Sequence, residues 1–309
     1  MPVDILELPA DSTPQVCDLF SLVFGHPVTP SQWRWKYQQG PRLGSLNMVA
    51  RDAQGRLVGH AGATVFAGSF QGRALPMAQV CDVMVLPDAR GGLGHQGTYP
   101  RVTEALRLQL QARFPGLLAY GFPGTRPFRL GERLGFYQRF YDIQESTLDA
   151  AAAAPPGWLQ AWRVIPAEWD TAALERTWSW LGRLQPRPMV ARTADYLAWR
   201  YRDHPQHHYR LWVCRRWWCD AGWLVTRTLP DGSECVVDAL LPNPADAPAA
   251  VAALCRAMSD QAGVAPTVRT WLPLPQPVAT PIVAMEFRVQ GWHADWPAPA
   301  FQPGDTDVY

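Results

Sequence analysis

DVMVLPDARGGLGHQGTYPRVTEALRLQL (residues 82–110) runs from an apolar, strand-like segment through a Pro-Asp turn and a glycine-rich loop into a helix-like segment. The loop holds Gly91, Gly92, Gly94 and Gly97. A glycine-rich turn at a helix N-terminus directs several backbone N–H groups to one point, beside the partial positive charge of the helix end. Glycine also lets a phosphate approach the backbone closely. The stretch therefore predicts a phosphate-binding site or, in the simpler interpretation, a flexible surface loop.

Two familiar nucleotide-binding motifs do not match this loop. A P-loop would continue with Gly-Lys-Ser or Gly-Lys-Thr, which is missing here. A dinucleotide-binding turn would carry G-x-G-x-x-G directly after the opening strand of a βαβ unit. Residues 47–87 read instead as a meander of strands, with turn-like breaks at DAQGR and FQGRA. A phosphate-binding site in this loop would therefore belong to a fold other than the P-loop and dinucleotide-binding folds.

The composition is that of a folded protein with little net charge. The chain has 309 residues, 28 of them basic and 27 acidic, and 48% are apolar. The length favours two domains, and the apolar content excludes a disordered chain. A net charge of +1 gives no reason to expect nucleic acid or an anionic membrane as a partner. Anion binding would have to come from a local site.

The chain start and the cysteines predict a cytoplasmic protein. MPVDILELPADS lacks the basic and apolar regions of a signal peptide, and no run of about 18 apolar residues predicts a spanning helix. The six cysteines include no CxxC pair and are predicted to be reduced and mostly buried. His204, His207 and His208 lack carboxylate or cysteine partners at ligand spacing, so no metal site is predicted.

The hydrophobic pattern places the motif in the first of two domains. YPRVTEALRLQLQARFP, which follows the loop, reads as a helix with apolar residues at four-residue intervals. The low-complexity stretch AAAAPPG (151–157) is the best candidate for a joint. It divides the chain into predicted domains at residues 1–150 and 158–309.

The second domain repeats landmarks of the first. The order Trp, basic residue, Tyr at residues 35–37 recurs at residues 199–201. Asp82 and Asp238 both open an apolar strand, and each lies 53 residues before the glycine of an LGF or QGW stretch. Landmarks in the same order at near-equal spacing indicate an internal duplication of one α/β unit.

The two copies differ in the segment that connects the apolar strand to the following helix. In the second domain, the strand is connected to the helix by LLPNPADAPAAV (240–251), which contains three prolines and no glycine. Proline has no backbone N–H to donate. The phosphate-type feature is therefore predicted in the first domain alone.

DVMVLPDARGGLGHQG, the helix after it and LLAYGFPGTRPFRLGERLGF (117–136) resemble the core of the GNAT acetyltransferases. The resemblance covers residues 3–145, and the second domain is similar to a degenerate copy. It implies an α/β (α+β) fold of tandem GNAT-like units, each with a mixed, mostly antiparallel central sheet flanked by helices. It also implies an N-acetyltransferase that uses acetyl-CoA (acyl-CoA) as co-substrate.

In this family the loop after the fourth strand binds the pyrophosphate of acyl-CoA. A backbone N–H at the end of that strand polarises the thioester carbonyl. Arg90 is the best single side chain for a phosphate, through charge-assisted hydrogen bonds. The residues that the resemblance assigns to the coenzyme are Val85, Leu86, Arg90, Gly91, Gly92, Gly94, Gln96, Gly97, Thr98 and Arg126.

The chain departs from the family pattern at two places. Leu93 and His95 stand where glycines are usual, as if the loop were longer. Gly131 stands where the family often has the tyrosine that acts as general acid. The residues that would have to replace it are Tyr99, Tyr120 or Tyr137.

Asp82 and His60 are the candidate general bases, so the predicted catalytic residues are these two with Tyr99 and Tyr137. Asp82 starts the loop-bearing strand, where a structural hydrogen bond is the alternative role. His60 follows Gly59 in a meander strand, where a buried structural histidine is the alternative.

The predicted reaction is direct transfer of an acyl group, most simply acetyl, to a small-molecule or sugar-like amine. The partners would be that acceptor and a second copy in a homodimer, without nucleic acid or membrane. Aromatic side chains would line the acceptor cleft between the domains or, alternatively, pack in cores: Trp33, Trp35, Tyr37, Trp199 and Tyr201. Two other functions remain open. One is an aminoacyl-tRNA-dependent two-unit transferase, which would need a basic channel; the other is a non-catalytic acyl-CoA sensor, which Gly131 favours.

Overall fold

The protein folds into two mixed sheets, each covered by helices. A computed structural model describes residues 3–91, 96–149, 162–262, 267–274, 282–289 and 296–306. The elements of the first half are β1 (Asp4–Glu7), α1 (Thr13–Phe24), α2 (Pro30–Gln38), β2 (Arg42–Arg51), β3 (Leu57–Phe70), β4 (Arg73–Val85), α3 (Thr98–Arg113), β5 (Leu118–Gly121), α4 (Thr125–Arg133), β6 (Tyr137–Ile143) and β7 (Ser146–Asp149).

Local signals explain where the first helices begin and end. α1 begins with a proline in its first turn and ends at Gly25, whose φ of +78° suits glycine. α2 begins at a capping box in which Thr29 and Gln32 bond reciprocally. The apolar stripe of α3 is fully buried against the sheet, as its spacing predicts.

The second half repeats this order of elements. They are β8 (Trp162–Ala167), α5 (Thr171–Leu181), β9 (Met189–Val190), α6 (Ala194–Leu197), β10 (Arg210–Arg216), β11 (Cys219–Thr228), β12 (Glu234–Leu240), α7 (Ala247–Ala262), β13 (Thr267–Thr270) and β14 (Ile282–Phe287). Strand, helices, three-strand meander, helix and strand follow one another as in the first half. The predicted α/β fold of two mixed, mostly antiparallel sheets with flanking helices is confirmed.

The two halves exchange strands. β14 enters the first sheet between β5 and β6, giving the order β1-β2-β3-β4-β5-β14-β6. β7 joins the second sheet at its edge and pairs with β13, giving β7-β13-β12-β11-β10-β8. The joint predicted at 151–157 lies outside the described residues. The boundary between the ranges 1–150 and 158–309 stays a prediction, but each range contributes a strand to the other's sheet.

A shared core joins the halves across an approximate two-fold relation. The side chains of Trp35 and Trp199, equivalent residues of the two copies, stack with ring centroids 4.8 Å apart. Phe122 and Trp271, which directly follow β5 and β13, meet with centroids 5.7 Å apart. Self-complementary contacts of this kind are what a duplicated unit forms when its two copies pack as a symmetric pair.

The cysteines are free thiols, and all except Cys219 are buried, as the sequence predicts. Within the described residues, no cluster of histidine, cysteine and acidic side chains is suited to a metal ion. No helix in the described part of the chain combines the length and the apolar character needed to cross a membrane.

Candidate active site

A gap opens between β4 and β5 of the first sheet. The two parallel strands pair at Met77–Leu118, Ala78–Ala119 and Gln79–Tyr120, after which β4 continues to Val85 on its own on this side. β4 also carries a bulge after Cys81, where its register with β3 shifts. Because a bulge bends its strand, the two strands diverge like the arms of a V whose vertex is the Gln79–Tyr120 pair.

The end of β4 offers one backbone donor to this gap. Of Val85 and Leu86, the two residues predicted to supply this donor, Leu86 already donates its N–H to the Val58 carbonyl at 2.9 Å. Val85 precedes Leu86 in the chain, so its backbone N–H and C=O point to the opposite edge. The Val85 carbonyl accepts from Arg90 Nε at 3.0 Å. Since the N–H and C=O of an antiparallel-strand residue point to the same side, the Val85 N–H faces the gap. Val85 therefore remains the candidate donor.

The glycine-rich loop leads from this gap to the N-terminus of α3. Gly97 is the N-cap residue, and no side chain caps the helix. The Thr98 hydroxyl donates to the Ala89 carbonyl at 3.0 Å and ties the two ends of the loop together. Pro100 in the first turn has no N–H, which the sequence analysis did not consider. The N–H groups of Gly97, Thr98 and Tyr99 are therefore the donors that the start of the helix directs at an anion.

The remaining predicted coenzyme residues lie in the loop and at the start of α4. The exposed residues are Arg90, Gly91 and Gln96 of the loop, and Arg126 in the first turn of α4. The Arg90 guanidinium is held at the base of the loop by its bond to Val85. Gly92 and Gly94 lie outside the described residues.

Asp82 lies in a buried polar cluster rather than in the gap. It sits at the bulge with a φ of +50°, and its carboxylate accepts from Lys36 Nζ at 2.9 Å and from the Tyr37 hydroxyl at 2.6 Å. Burial by itself would raise the pKa of Asp82, but the Lys36 ammonium and the Tyr37 hydroxyl outweigh it and lower the pKa. A carboxylate stabilised in this way is a weak base.

The second half contains the same link. The Tyr201 hydroxyl donates to Asp238 at 2.6 Å, as Tyr37 donates to Asp82. Arg192 supplies the positive charge there, with Nε 2.7 Å from the Asp238 carboxylate. The copy without a glycine-rich loop thus keeps the Tyr–Asp bond, which there ties the π-helical turn after α6 (Ala198–Arg202) to β12. The bond is therefore part of how each unit folds, and it gives Asp82 a structural role.

His60 is also held within the fold. It is fully buried, with Nδ1 2.7 Å from the Asp82 carbonyl and Nε2 3.0 Å from the Asn47 side chain. Both partner atoms, the Asp82 carbonyl and Asn47 Oδ1, are acceptors, so the tautomer decides which ring nitrogen of the neutral His60 donates. Burial lowers the pKa of His60 from 6.5 to about 4. Both ring nitrogens are occupied, which favours the structural role.

The buried His60 makes stability pH-dependent. Its pKa is lower in the folded protein than in the unfolded chain, so between pH 6.5 and about 4 the unfolded chain binds the extra proton. Stability should therefore fall as the pH falls through this window, by about 3 kcal/mol in total. Urea unfolding at pH 7, 6 and 5 measures this loss. The same series on His60→Gln should show a flatter dependence, and an equal slope in both proteins would contradict the assignment.

Tyr99 and Tyr137 lie on the opposite face of the sheet from Asp82 and His60. Tyr137 belongs to the core beneath α3, and Tyr99 packs against it; the Asp82 cluster lies on the α1/α2 face. Burial raises the pKa of both tyrosines. Gly131 lies flat on the Tyr137 ring, and a Cβ at this position would overlap that ring. The position of the family's tyrosine is therefore filled, and the four predicted catalytic residues do not form one site.

A polar row crosses the sheet at the vertex of the gap, and the sequence analysis missed most of it. Cross-strand pairing aligns Thr64, Gln79, Tyr120 and Glu286 on neighbouring strands. Burial raises the pKa of Tyr120 well above its usual value and also raises the pKa of Glu286. Glu286 arrives on the exchanged strand β14. No local signal marks it, because its neighbours in space are far away in the sequence.

The predicted acceptor aromatics divide into two groups. Trp33, Tyr37 and Tyr201 are each 1% exposed and belong to the cores, as the packing alternative predicts. Trp35 and Trp199 instead cover a small cavity of about 20 Å³ above Gln79 and Tyr120. The described structure therefore has an almost closed chamber on the α2 side of the vertex.

Comparisons with known proteins agree with this geometry. Residues 4–140 match the family described as acetyltransferase (GNAT) domain. No match was found among curated proteins. The fold is similar to a probable N-acyltransferase of unknown function from Enterococcus faecalis, with a TM-score of 0.68, 14% identity, and coverage of 93% of this chain and 72% of that one.

Two further solved structures share the two-unit fold. A GCN5-related N-acetyltransferase from Anabaena variabilis has a TM-score of 0.68 at 13% identity, with coverage of 92% of this chain and 72% of that one. A tandem GNAT protein from the clavulanic acid biosynthesis pathway has a TM-score of 0.59 at 14% identity, with coverage of 92% and 98%. At these identities the likeness concerns the fold. Residues 4–140 thus match a GNAT acetyltransferase domain, and the chain as a whole has a fold similar to that of a tandem GNAT protein.

Proposed function

We propose that the protein transfers an acetyl group from acetyl-CoA directly to a small-molecule amine. The observation that carries the proposal is the V-shaped gap between β4 and β5, which leads to the uncapped N-terminus of α3. GNAT folds in general use acyl-CoA for N-acetylation. The chamber at the vertex is about 20 Å³, room for little more than a water molecule, so Trp35 and Trp199 would have to move to admit any acceptor, and a small amine requires the least movement.

The coenzyme would lie along β4 with its diphosphate at the helix end. The amides of Gly97, Thr98 and Tyr99 and the Arg90 guanidinium supply the charge and the donors for the phosphates. The Val85 N–H, which faces the gap, would bond to the pantetheine arm or to the thioester carbonyl. This local site accounts for anion binding by a chain whose net charge is only +1.

The acceptor would react at the vertex, on the α2 side of the sheet. Glu286 lies beside Tyr120 there, and its raised pKa suits a general base, acting directly or through water. Tyr120 is protonated at neutral pH, as tyrosines ordinarily are, so its hydroxyl can donate to the leaving thiolate, although burial raises its pKa and makes it a weaker acid than a free tyrosine. Neither role requires a side chain at Gly131.

A non-catalytic acyl-CoA sensor is the second candidate. It is favoured by Gly131, where contact with Tyr137 leaves no room for the usual tyrosine. The two functions share the coenzyme site and differ in turnover. Incubation with acetyl-CoA and a panel of amines separates them, because only the transferase releases free thiol in an amine-dependent reaction.

Replacing Gly97 by proline tests the coenzyme site. Gly97 has a φ of −70°, which proline also adopts, so the change removes one N–H without altering the local backbone angle. Loss of one hydrogen bond to a charged group costs about 1.5–3 kcal/mol. Acetyl-CoA binding by calorimetry should therefore weaken by about 10- to 100-fold.

Gly97→Ala is the matched control, since it keeps the N–H and the same φ is open to alanine. It should bind acetyl-CoA within a few-fold of the parent. If the proline variant binds as tightly as the alanine variant, the helix N-terminus is not the diphosphate site.

A further inference from the structure

The second unit has its own gap between strands, and it holds a larger cavity than the vertex chamber of the first. β12 and β13 pair in parallel at Glu234–Val268, Cys235–Arg269 and Val236–Thr270, and β12 then continues to Leu240. A cavity of about 400 Å³ lies at this divergence. Small-molecule sites typically measure about 300–1,000 Å³.

The cavity occupies the position equivalent to the coenzyme gap. Ala239 and Leu241 line it and follow Asp238 at the same distances as Val83 and Val85 follow Asp82. Trp271, which follows β13 as Phe122 follows β5, forms another wall. Duplication has thus produced a second gap of the same origin, but with different surroundings.

These surroundings do not suit a coenzyme diphosphate. Pro242, Pro244 and Pro248 replace the N–H donors that the glycine-rich loop supplies in the first unit. The Asn243 side chain accepts from the Ala245 N–H at 2.9 Å and uses a further donor of this segment. An anion at this position would find few amides to bind.

The lining instead combines aromatic walls with one arginine. Tyr141 from the first half, Trp271 and Phe301 supply large apolar faces. The Arg187 guanidinium lies 4.6 Å from the Tyr141 ring centroid, and its Nε donates to the Ala298 carbonyl at 2.6 Å. The acidic lining residue Asp142 is already paired with Arg139 at 2.8 Å. Arg187 is thus held in place by contacts other than a carboxylate.

We propose that this cavity is a second binding site, for a small aromatic carboxylate without a nucleotide. The ring would lie between Trp271 and Phe301 in the manner of offset aromatic stacking. The carboxylate would meet Arg187 through charge-assisted hydrogen bonds. Since residues of both halves line the cavity, a bound ligand would also stabilise the contact between the two units.

Binding of 2-naphthoate tests the proposal, with neutral 2-naphthol as the comparison ligand. Calorimetry on the full chain should show one saturable site for 2-naphthoate. Arg187→Gln should weaken it by about tenfold, the effect of losing one charge-assisted contact, and should leave 2-naphthol within about twofold. Trp271→Leu should weaken both ligands. Arg183→Gln, which changes an exposed arginine outside the cavity lining, is the matched control and should bind like the parent.

Competition with coenzyme A distinguishes this site from the proposed acetyl-CoA site. Saturating coenzyme A should not displace 2-naphthoate, and the Arg187→Gln variant should bind acetyl-CoA like the parent. Displacement by coenzyme A, absence of saturable binding, or equal affinity of parent and Arg187→Gln for 2-naphthoate would each overturn the proposal. A failure of acetyl-CoA to bind at all would leave the naphthoate results standing, because the two titrations are independent.

Discussion

Replacing Glu286 by glutamine is expected to lower kcat by about 10²- to 10⁴-fold, the usual contribution of a general base. Glu286 lies next to Tyr120 at the vertex of the gap, on a strand supplied by the other half of the chain. Glutamine keeps the shape of the side chain but cannot accept the proton. Affinity for acetyl-CoA, measured by calorimetry, should stay within a few-fold of the parent, because the coenzyme donors are untouched.

Glu132→Gln is the matched control, since it changes an exposed glutamate on α4 and should leave kcat unchanged. The pH profile gives a readout that a purely structural role would not move. In the parent, kcat/KM should fall on the acid side as Glu286 becomes protonated, and this limb should disappear in Glu286→Gln. An unaltered kcat, or an acid limb that persists in the variant, would remove Glu286 from the mechanism.

Replacing Asp82 by alanine is expected to destabilise the protein by about 3–5 kcal/mol, the cost of removing one partner of a buried ion pair. Lys36 and Asp82 are both almost completely buried, with Nζ 2.9 Å from the carboxylate. The variant would leave the ammonium in a low-dielectric site without its counter-charge. Urea unfolding at pH 7 measures the loss.

A double variant separates this electrostatic cost from simple loss of packing. Asp82→Ala with Lys36→Met removes both charges, and replacing a buried pair by apolar groups is often neutral. Most of the lost stability should therefore return. If the double variant is as unstable as Asp82→Ala alone, the pair is not what the single change disrupts. If Asp82→Ala folds with parental stability but loses activity, Asp82 is catalytic after all, contrary to the role inferred from the Asp238–Tyr201 bond.

The duplicated architecture provides an internal comparison for such assignments. Bonds present in both units, such as Tyr37–Asp82 and Tyr201–Asp238, belong to the shared fold. Features of one unit alone point to what that unit binds. The glycine-rich loop and the uncapped α3 are the basis for proposing a diphosphate at the first gap, and the prolines and Arg187 are the basis for proposing a different ligand at the second.

The sequence by itself determined the features that depend on neighbouring residues. The loop with its following helix, the apolar stripe of α3 and the repeated landmarks are local patterns, so the α/β fold of two similar units could be predicted from them. Val85, Thr98 and Arg90 could likewise be predicted to lie near one another, because each lies within a few residues of the loop.

Only the tertiary structure decided which strands complete each sheet and which side chains meet at the vertex of the gap. β14 carries Glu286 to Tyr120 from more than half the chain away, and the pairing of distant strands leaves no periodic signal in either segment. Tertiary packing also assigned Asp82 and His60 to a buried network, since a polar residue reads the same in sequence whether its partner is substrate or protein. Hydrogen-bond partners of buried polar groups are set by the closure of the fold, and that closure is not encoded in any short stretch of the chain.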